Sequence, residues 1–170
     1  GLDSLAVDFS TSDVPFPGGV DFSVLYQEKA KAAGIELDVV REAADGYWSN
    51  VWLVKPFSLV AWGARPTPDM ILSLAYAGGA AWNETHLDNA RLNEILVEAR
   101  AELDDAKRGE MYAEAQMIVS NEGGTIVPFF TNYLFASTPN LARASEGLSG
   151  DWTLDGYRSA ERWWFSADSA

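Results

Sequence analysis

The N-terminal part of the chain combines two strand patterns with a helix pattern between them. Residues 5–9 form a short strand-like run, and residues 35–40 alternate apolar and acidic side chains, as a half-exposed strand does. Apolar residues recur at helical spacing over residues 22–30, and Gly34 stands where a helix C-cap belongs. Prolines and glycines within residues 11–19 indicate a loop. The pattern therefore predicts a strand–helix–strand unit.

Shorter elements are predicted in the middle of the chain. Residues 47–53 are an aromatic helix candidate, and the apolar run 57–62 predicts a further strand. After a proline-rich breaker, residues 70–76 have a helical pattern, which the glycine pair Gly78-Gly79 ends. Residues 80–88 are predicted to form a loop.

Two helices follow with clear start signals. Asn89 is a good N-cap, and Asp104 or Asp105 can cap the second helix. The first helix has one apolar stripe, formed by Leu92, Ile95, Leu96, Ala99 and Leu103. The second has an inner face formed by Met111, Tyr112, Ala115, Ile118 and Val119. Two glycines then end the pattern, and residues 125–130 predict another strand.

The order of these elements predicts an α/β fold with a mixed β-sheet flanked by helices. The longest uncharged run, residues 123–142, has roughly the length of a membrane span. Its prolines, asparagines and paired glycines would leave backbone groups unsatisfied in a bilayer, so a buried strand and a loop are expected instead of a span. Residues 147–170 are expected to form an irregular, aromatic C-terminal tail.

Length and charge limit the size class of the protein and the partners that it can bind. The chain has 170 residues, which fits one domain or a piece of a larger protein. Its net charge of -13 would repel nucleic acid and anionic membrane surfaces. It contains no cysteine, which excludes disulfides, thiolate metal sites and a cysteine nucleophile. It begins without an initiator Met or an apolar leader, so no signal sequence is expected within it.

Catalytic and metal-binding motifs are absent from the sequence. The single histidine, His86, cannot form a zinc site alone, and Asp104-Asp105 are better explained as helix-capping residues than as a catalytic pair. No catalytic activity, cofactor or metal is therefore expected, although a Ser–Lys hydrolase remains an alternative.

The tryptophans indicate a binding site more clearly than the charged residues do. For Trp48 and Trp52, at helical spacing, packing in the core is the ordinary interpretation. Trp62 ends a predicted strand, and ligands of open α/β sheets bind beyond the strand ends. Trp62 could therefore face a ligand as readily as the core.

An ordered set of short motifs resembles one family over roughly residues 20–135. The motifs are Gly34-Ile35, Leu59-Val-Ala-Trp62-Gly63, Pro68-Asp69, Trp82-Asn83, the helix start at Asn89, Lys107-Arg108, Met111-Tyr112 and Ile126-Val-Pro128. They resemble the C-terminal part of the peptide/opine/nickel-uptake class of ABC-transporter extracellular solute-binding proteins. Arg162-Trp-Trp-Phe165 resembles the C-terminus of one branch of that family.

The resemblance implies a periplasmic-binding-protein-like (type II) lobe, with residues 1–170 as the C-terminal fragment of a longer two-lobed protein. In peptide-binding members a Trp lines the pocket and an Asp three residues later holds the peptide's α-amino group. Trp62 matches that Trp, but the later position is Arg65, or Ala64 when counted from Pro68-Asp69. The carboxylate is thus missing, and Arg65 is either a clamp for an anionic group or a surface arginine.

The resemblance implies that the chain captures a peptide or related small solute and delivers it to ABC permease subunits. It further implies a periplasmic, or extracytoplasmic and membrane-tethered, location. The expected ligand contacts are Trp62, Arg65, Trp82 and Asn83. A ligand-sensing or interaction module of the same fold, without transport, is the alternative.

Overall fold

The structure is a computed structural model that describes residues 5–132, 134, 136–143 and 156–166. It divides into two compact units, Gly1–Thr125 and Ile126–Ala170. Each unit is described by itself below.

The first unit begins with the predicted strand–helix–strand motif. Strand β1 (Leu5–Thr11) pairs in parallel with β2 (Ile35–Arg41), and helix α1 (Gly19–Ala30) connects them. A parallel pair needs such a crossover, because its strands run in the same direction. Gly34 has a φ of 74° and turns the chain from the helix into β2, so the predicted C-cap glycine is confirmed.

A small apolar core joins α1 to the two strands. It is formed by Phe9, Ala30, Leu37 and Leu59, and the ring of Phe57 stacks on that of Phe9 at a centroid distance of 4.6 Å. Gly19 is required at the start of α1, because a Cβ there would lie 2.4 Å from the carbonyl oxygen of Ser12. The loop 11–19 therefore packs directly against the helix.

Four further helices complete this unit: α2 (Tyr47–Asn50), α3 (Pro68–Ala75), α4 (Ala90–Ala101) and α5 (Asp105–Glu122). Thr67, Asn89 and Asp104 accept hydrogen bonds from backbone N–H groups at the starts of α3, α4 and α5. The capping predictions at Asn89 and Asp104 are confirmed. Helices α3–α5 enclose the larger core, formed by Leu72, Ala75, Tyr76, Leu92, Ile95, Leu96, Ala99, Tyr112, Ala115 and Val119.

Three local predictions in this unit are wrong. Leu103 does not belong to the α4 stripe, because the helix ends at Ala101 and the side chain is 91% exposed. The aromatic helix stops at Asn50 instead of residue 53. Residues 57–62 form no strand: only Ser58 pairs with Ser10 of β1, in a single parallel bridge. The pairing ends after Leu59, whose carbonyl accepts a hydrogen bond from Tyr47.

The second unit also departs from its prediction. Residues 125–130, at the junction of the two units, contain no strand, and Ile126, Val127 and Phe130 are exposed. Apolar character alone cannot form a strand without a partner strand, and Pro128 has no N–H to donate. The expected buried strand within residues 123–142 is therefore wrong.

The C-terminal tail is not wholly irregular. Strand β3 (Leu141–Arg143) pairs antiparallel with β4 (Trp163–Phe165), which follows helix α6 (Ser159–Arg162). The prediction of an irregular tail is thus wrong for residues 156–166, while 147–155 and 167–170 lie outside the described residues. The α/β class is confirmed, and the described residues form one parallel and one antiparallel two-stranded sheet.

Candidate functional site

Four indole rings meet in the first unit and form what we term the tryptophan cluster: Trp48, Trp52, Trp62 and Trp82. The ring centroids of Trp52 and Trp62 are 6.2 Å apart, those of Trp52 and Trp82 are 5.9 Å apart, and those of Trp62 and Trp82 are 6.1 Å apart. Trp48 contacts Trp52 edge-to-face. Trp48 and Trp82 are exposed, whereas Trp52 and Trp62 are half-buried. The cluster thus presents aromatic surface to solvent from a packed base.

A buried tyrosine, Tyr47, joins two parts of the chain that carry tryptophans of the cluster. The Tyr47 hydroxyl donates a hydrogen bond of 2.8 Å to the Leu59 carbonyl, which fixes α2 against the segment leading to Trp62. Burial is the main cause that raises the pKa of Tyr47 to about 12, the charge of Glu42 raises it further, and the hydrogen bond to Leu59 opposes them. Tyr47 therefore stays neutral and acts as a hydrogen-bond donor at neutral pH.

The loop of residues 80–88 places Trp82 and is organised by Asn83. The buried Asn83 amide donates hydrogen bonds to the carbonyls of Ala77 (3.1 Å) and Leu87 (2.8 Å). Its carbonyl oxygen accepts a bond of 2.8 Å from the Thr85 hydroxyl. Both amide hydrogens are therefore taken by backbone carbonyls, one before the loop and one within it. Burial also makes Asn83 inaccessible as a glycosylation acceptor, although Asn83-Glu84-Thr85 fits that pattern.

Glu84 connects this loop to the tryptophans. One carboxylate oxygen accepts a hydrogen bond of 2.9 Å from the indole nitrogen of Trp62, and the other accepts one from the indole nitrogen of Trp52. Glu84 also lies near Tyr76, whose pKa is raised chiefly by burial and further by the Glu84 charge, while a hydrogen bond with Thr125 lowers it.

Arg65 lies on the Trp62 ring. Its guanidinium carbon is 6.0 Å from the ring centroid, within the range of a cation–π contact. Nη1 donates hydrogen bonds to the carbonyls of Gly63 (2.8 Å) and Ala64 (3.3 Å). Within the described residues, Nε and Nη2 make no hydrogen bond, so this edge of the fork is available to a planar anion.

Asp69 has a different partner. Arg100 Nε donates hydrogen bonds to both carboxylate oxygens of Asp69, at 2.9 Å to Oδ1 and 3.0 Å to Oδ2. The Ser73 hydroxyl donates a further hydrogen bond to Oδ1. Asp69 therefore joins α3 to α4 and does not replace the missing carboxylate next to Trp62.

The structure brings Trp62, Arg65 and Trp82 together. Asn83 follows Trp82 in the chain but is buried and hydrogen-bonded to Ala77, Leu87 and Thr85. Sequence analysis missed Trp52 as a member of this group and missed Glu84 altogether. The available signal was chemical: half-buried indole N–H groups need acceptors, and Glu84 follows Trp82 by two residues. Nothing in the spacing indicated which indoles it would reach.

Neither a metal cluster nor a membrane-spanning helix occurs within the described residues. No group of three or more His, Asp or Glu side chains there is arranged to hold a metal ion. None of the helices in that part of the chain is both long enough and apolar enough to cross a membrane.

Comparison with known proteins gives a fold but no close relative. No protein-family model matches the sequence, and no curated protein is similar to it. Solved structures do match: the periplasmic binding protein DppA from Helicobacter pylori in complex with the peptide STSA has 17% identity and a TM-score of 0.60. The match covers 72% of this chain and 25% of DppA. The chain has the fold of part of an ABC-transporter solute-binding protein.

Two further solute-binding proteins of known structure match the fold of this chain to a similar extent. NikZ from Campylobacter jejuni, solved with Ni(L-His), has 18% identity and a TM-score of 0.59 over 70% of this chain and 25% of NikZ. The substrate-binding domain of an oligopeptide ABC transporter from Bacillus anthracis has 15% identity and a TM-score of 0.59, over 72% of this chain and 24% of its own. The periplasmic-binding-protein-like (type II) fold expected from the sequence is confirmed. The chain spans about a quarter of the length of these solute-binding proteins.

Proposed function

We propose that residues 1–170 form a C-terminal portion of a solute-binding protein that captures a small solute or peptide and delivers it to the permease of an ABC importer. Two observations support this. The fold is that of solute-binding proteins, and a tryptophan cluster with a cation on its surface occurs where a ligand contact is expected from the sequence motifs. In this proposal the protein works outside the cytoplasm and catalyses no reaction.

The single observation that carries the proposed ligand class is the position of Arg65. Its Nη1 is held by two backbone carbonyls and its ring contact with Trp62 orients the guanidinium, so the Nε–Nη2 edge is pre-organised for a carboxylate or phosphate. A free ammonium group at this edge would meet a like charge. We therefore propose a ligand with an anionic or neutral polar group against Arg65.

The remaining predicted contacts have different parts in this proposal. Trp62 and Trp82 supply aromatic surface for an apolar portion of the solute, since amphipathic rings bury large area at low cost in side-chain entropy. Asn83 contributes by holding the loop that carries Trp82, because its amide is already hydrogen-bonded to that loop.

The proposal is tested by identifying the natural ligand of the intact gene product. Protein purified without denaturation should release a small solute or peptide with a carboxylate or another polar group, detectable by mass spectrometry. If the native protein carries no solute and titration with peptides and organic acids gives no heat of binding, the proposal fails. Binding without an uptake defect in a deletion strain would instead support the sensing module.

Arg65 variants test the ligand class in the same intact protein. Arg65→Ala should weaken binding by about 2 kcal/mol or more, because the ligand's anionic group would lose its partner, and Arg65→Lys should not restore it. Titration calorimetry measures both. Arg91→Ala is the control, since Arg91 is an exposed arginine on α4 that pairs with Glu94 and Glu114. Equal affinities for Arg65→Ala and wild type would show that Arg65 is a surface residue.

A further inference from the structure

One carboxylate connects separate parts of the chain beneath the proposed ligand contacts. Glu84, from the loop of residues 80–88, accepts the indole N–H of Trp62, which is 22 positions away, and that of Trp52, which is 32 positions away. Trp82, two residues before Glu84, touches both of those rings. No other side chain in the described residues receives hydrogen bonds from two tryptophans.

The hydrogen-bonding groups in this contact can pair in only one direction. An indole N–H can only donate and an ionised carboxylate can only accept, so the two types of group are complementary. Hydrogen bonds to an ionised acceptor are roughly twice as strong as neutral ones, and each Glu84 oxygen takes a different indole. Two bonds from one planar group fix the rotation of both rings, which packing of apolar faces alone does not do.

We propose that Glu84 is the positioning residue of the ligand site. It sets the orientation of Trp62, and the Trp62 face in turn supports the Arg65 guanidinium at 6.0 Å from the ring centroid. The functional part of this inference rests on the proposed solute-binding role, whereas the arrangement of the rings does not.

Two unusual backbone conformations give a second reason to expect a stabilising contact at Glu84. Leu53 and His86 have φ values of 59° and 54°, in the left-handed region that non-glycine residues seldom occupy. Leu53 follows Trp52, and His86 lies in the loop with Glu84. Such conformations persist only where the surroundings hold them, and the hydrogen bond from Trp52 to Glu84 joins these two strained stretches.

The test uses the 170-residue chain and the optical signals of its tryptophans. Glu84→Gln keeps the size of the side chain but has a single acceptor oxygen, so it can accept one indole and presents its NH2 group to the other. The exciton signal of the Trp pairs in far-ultraviolet circular dichroism should fall to about half or less, with the helical signal unchanged. Glu36→Gln, an exposed glutamate of β2, is the matched control and should leave both signals as in the wild type.

A double-mutant cycle separates positioning from a general loss of structure. Trp52→Phe and Trp62→Phe each remove one N–H and keep an aromatic ring. Once both are present, Glu84→Gln should have no further effect on the stability measured by urea unfolding. If Glu84→Gln fails to fold, the single Trp→Phe variants are compared by urea unfolding instead, because each removes one of the two indole N–H donors. An unchanged exciton signal in Glu84→Gln, or wild-type stability in both single variants, would overturn the inference.

The effect on Arg65 is measured with iodide as a probe. A guanidinium beside Trp62 raises the local concentration of this anion, so iodide should quench tryptophan fluorescence more, relative to neutral acrylamide, in the wild type than in Arg65→Ala. Glu84→Asp keeps the negative charge beside the indoles and shortens the side chain, so the change in iodide quenching reports on Arg65 and not on the lost charge. It should lower the iodide-to-acrylamide ratio to the Arg65→Ala value, and a ratio that stays at the wild-type value would contradict the link to Arg65. Neither optical test needs the natural ligand. These results would therefore stand even if the solute-binding proposal failed, and a failure of this inference can be distinguished from a failure of that proposal.

Discussion

Tyr47 shows how one residue can hold an irregular segment in place. Residues 57–62 lack strand partners beyond the single bridge at Ser58, so their backbone groups depend on other contacts. The Tyr47 hydroxyl supplies one, to the Leu59 carbonyl, from a side chain that is 1% exposed. A buried carbonyl without such a donor would cost stability.

We expect Tyr47→Phe to lower the free energy of unfolding by about 1–3 kcal/mol, because the Leu59 carbonyl would lose its hydrogen bond. Urea unfolding followed by circular dichroism measures the change. Tyr26→Phe is the control: Tyr26 is half-buried and stacks on Phe22, and its hydroxyl makes no hydrogen bond within the described residues. A loss no larger than that of the control would show that the Tyr47 bond contributes nothing.

The raised pKa of Tyr47 gives a further expected result at high pH. Between pH 10 and about 12 the phenol ionises in the unfolded chain but stays protonated in the folded one. The unfolded state is therefore favoured as the pH rises, and the stability that Tyr47 contributes below pH 10 is lost through this window. The slope of unfolding free energy against pH should be smaller in Tyr47→Phe than in the wild type.

At the scale of elements, helices α4 and α5 are specified by local signals. Each begins at a side chain that accepts backbone N–H groups, and each buries one stripe against the other. Both features depend on residues within one or two turns of each other. This is why their starts could be predicted from the sequence, although the choice between Asp104 and Asp105 was made only by the structure.

Asp104→Ala should cost about 1 kcal/mol, because the N–H groups of Ala106 and Lys107 would lose their shared acceptor. Asp104→Asn keeps an acceptor oxygen and should recover most of this loss. Asp105→Ala removes a neighbouring carboxylate that pairs with Arg108 on the surface, and serves as the control. Thermal unfolding of the four proteins provides the comparison, and equal losses for Asp104→Ala and Asp105→Ala would exclude a capping role.

Leu96→Ala should cost about 2–5 kcal/mol through the cavity that it leaves in the core between α3, α4 and α5. Leu96 is 3% exposed, whereas the adjacent Val97 is 67% exposed. Val97→Ala should therefore change stability by no more than about 0.5 kcal/mol. Chemical unfolding checks both values, and a Leu96 loss below about 1 kcal/mol would be inconsistent with a core position.

At the scale of the molecule, the first unit contains both apolar cores and the whole tryptophan cluster. Residues 1–125 alone should therefore unfold cooperatively, as an independently folding domain does. Circular dichroism and tryptophan fluorescence should give coincident thermal transitions. A gradual melt, with binding of a hydrophobic dye at low temperature, would show that this unit needs the rest of the chain.

The sequence by itself determined the βαβ motif, the α3–α5 helices and the α/β class, because periodicity, capping and glycine turns act over a few residues. It also indicated Trp62, Arg65 and Trp82, through the motifs that surround them. The apolar runs 57–62 and 125–130 were misread as strands, since a strand exists only where a neighbouring strand pairs with it. Local sequence does not carry that information.

Only the tertiary structure decided how the site is assembled. Glu84 joins two tryptophans that lie 22 and 32 positions away in the chain, and Arg65 acquires its platform from the ring that Glu84 orients. These contacts depend on how loops pack between the helices and β1, and a hydrogen bond between distant residues leaves no period or cap in the sequence. The residue types were readable along the chain, but their partners were fixed by the fold.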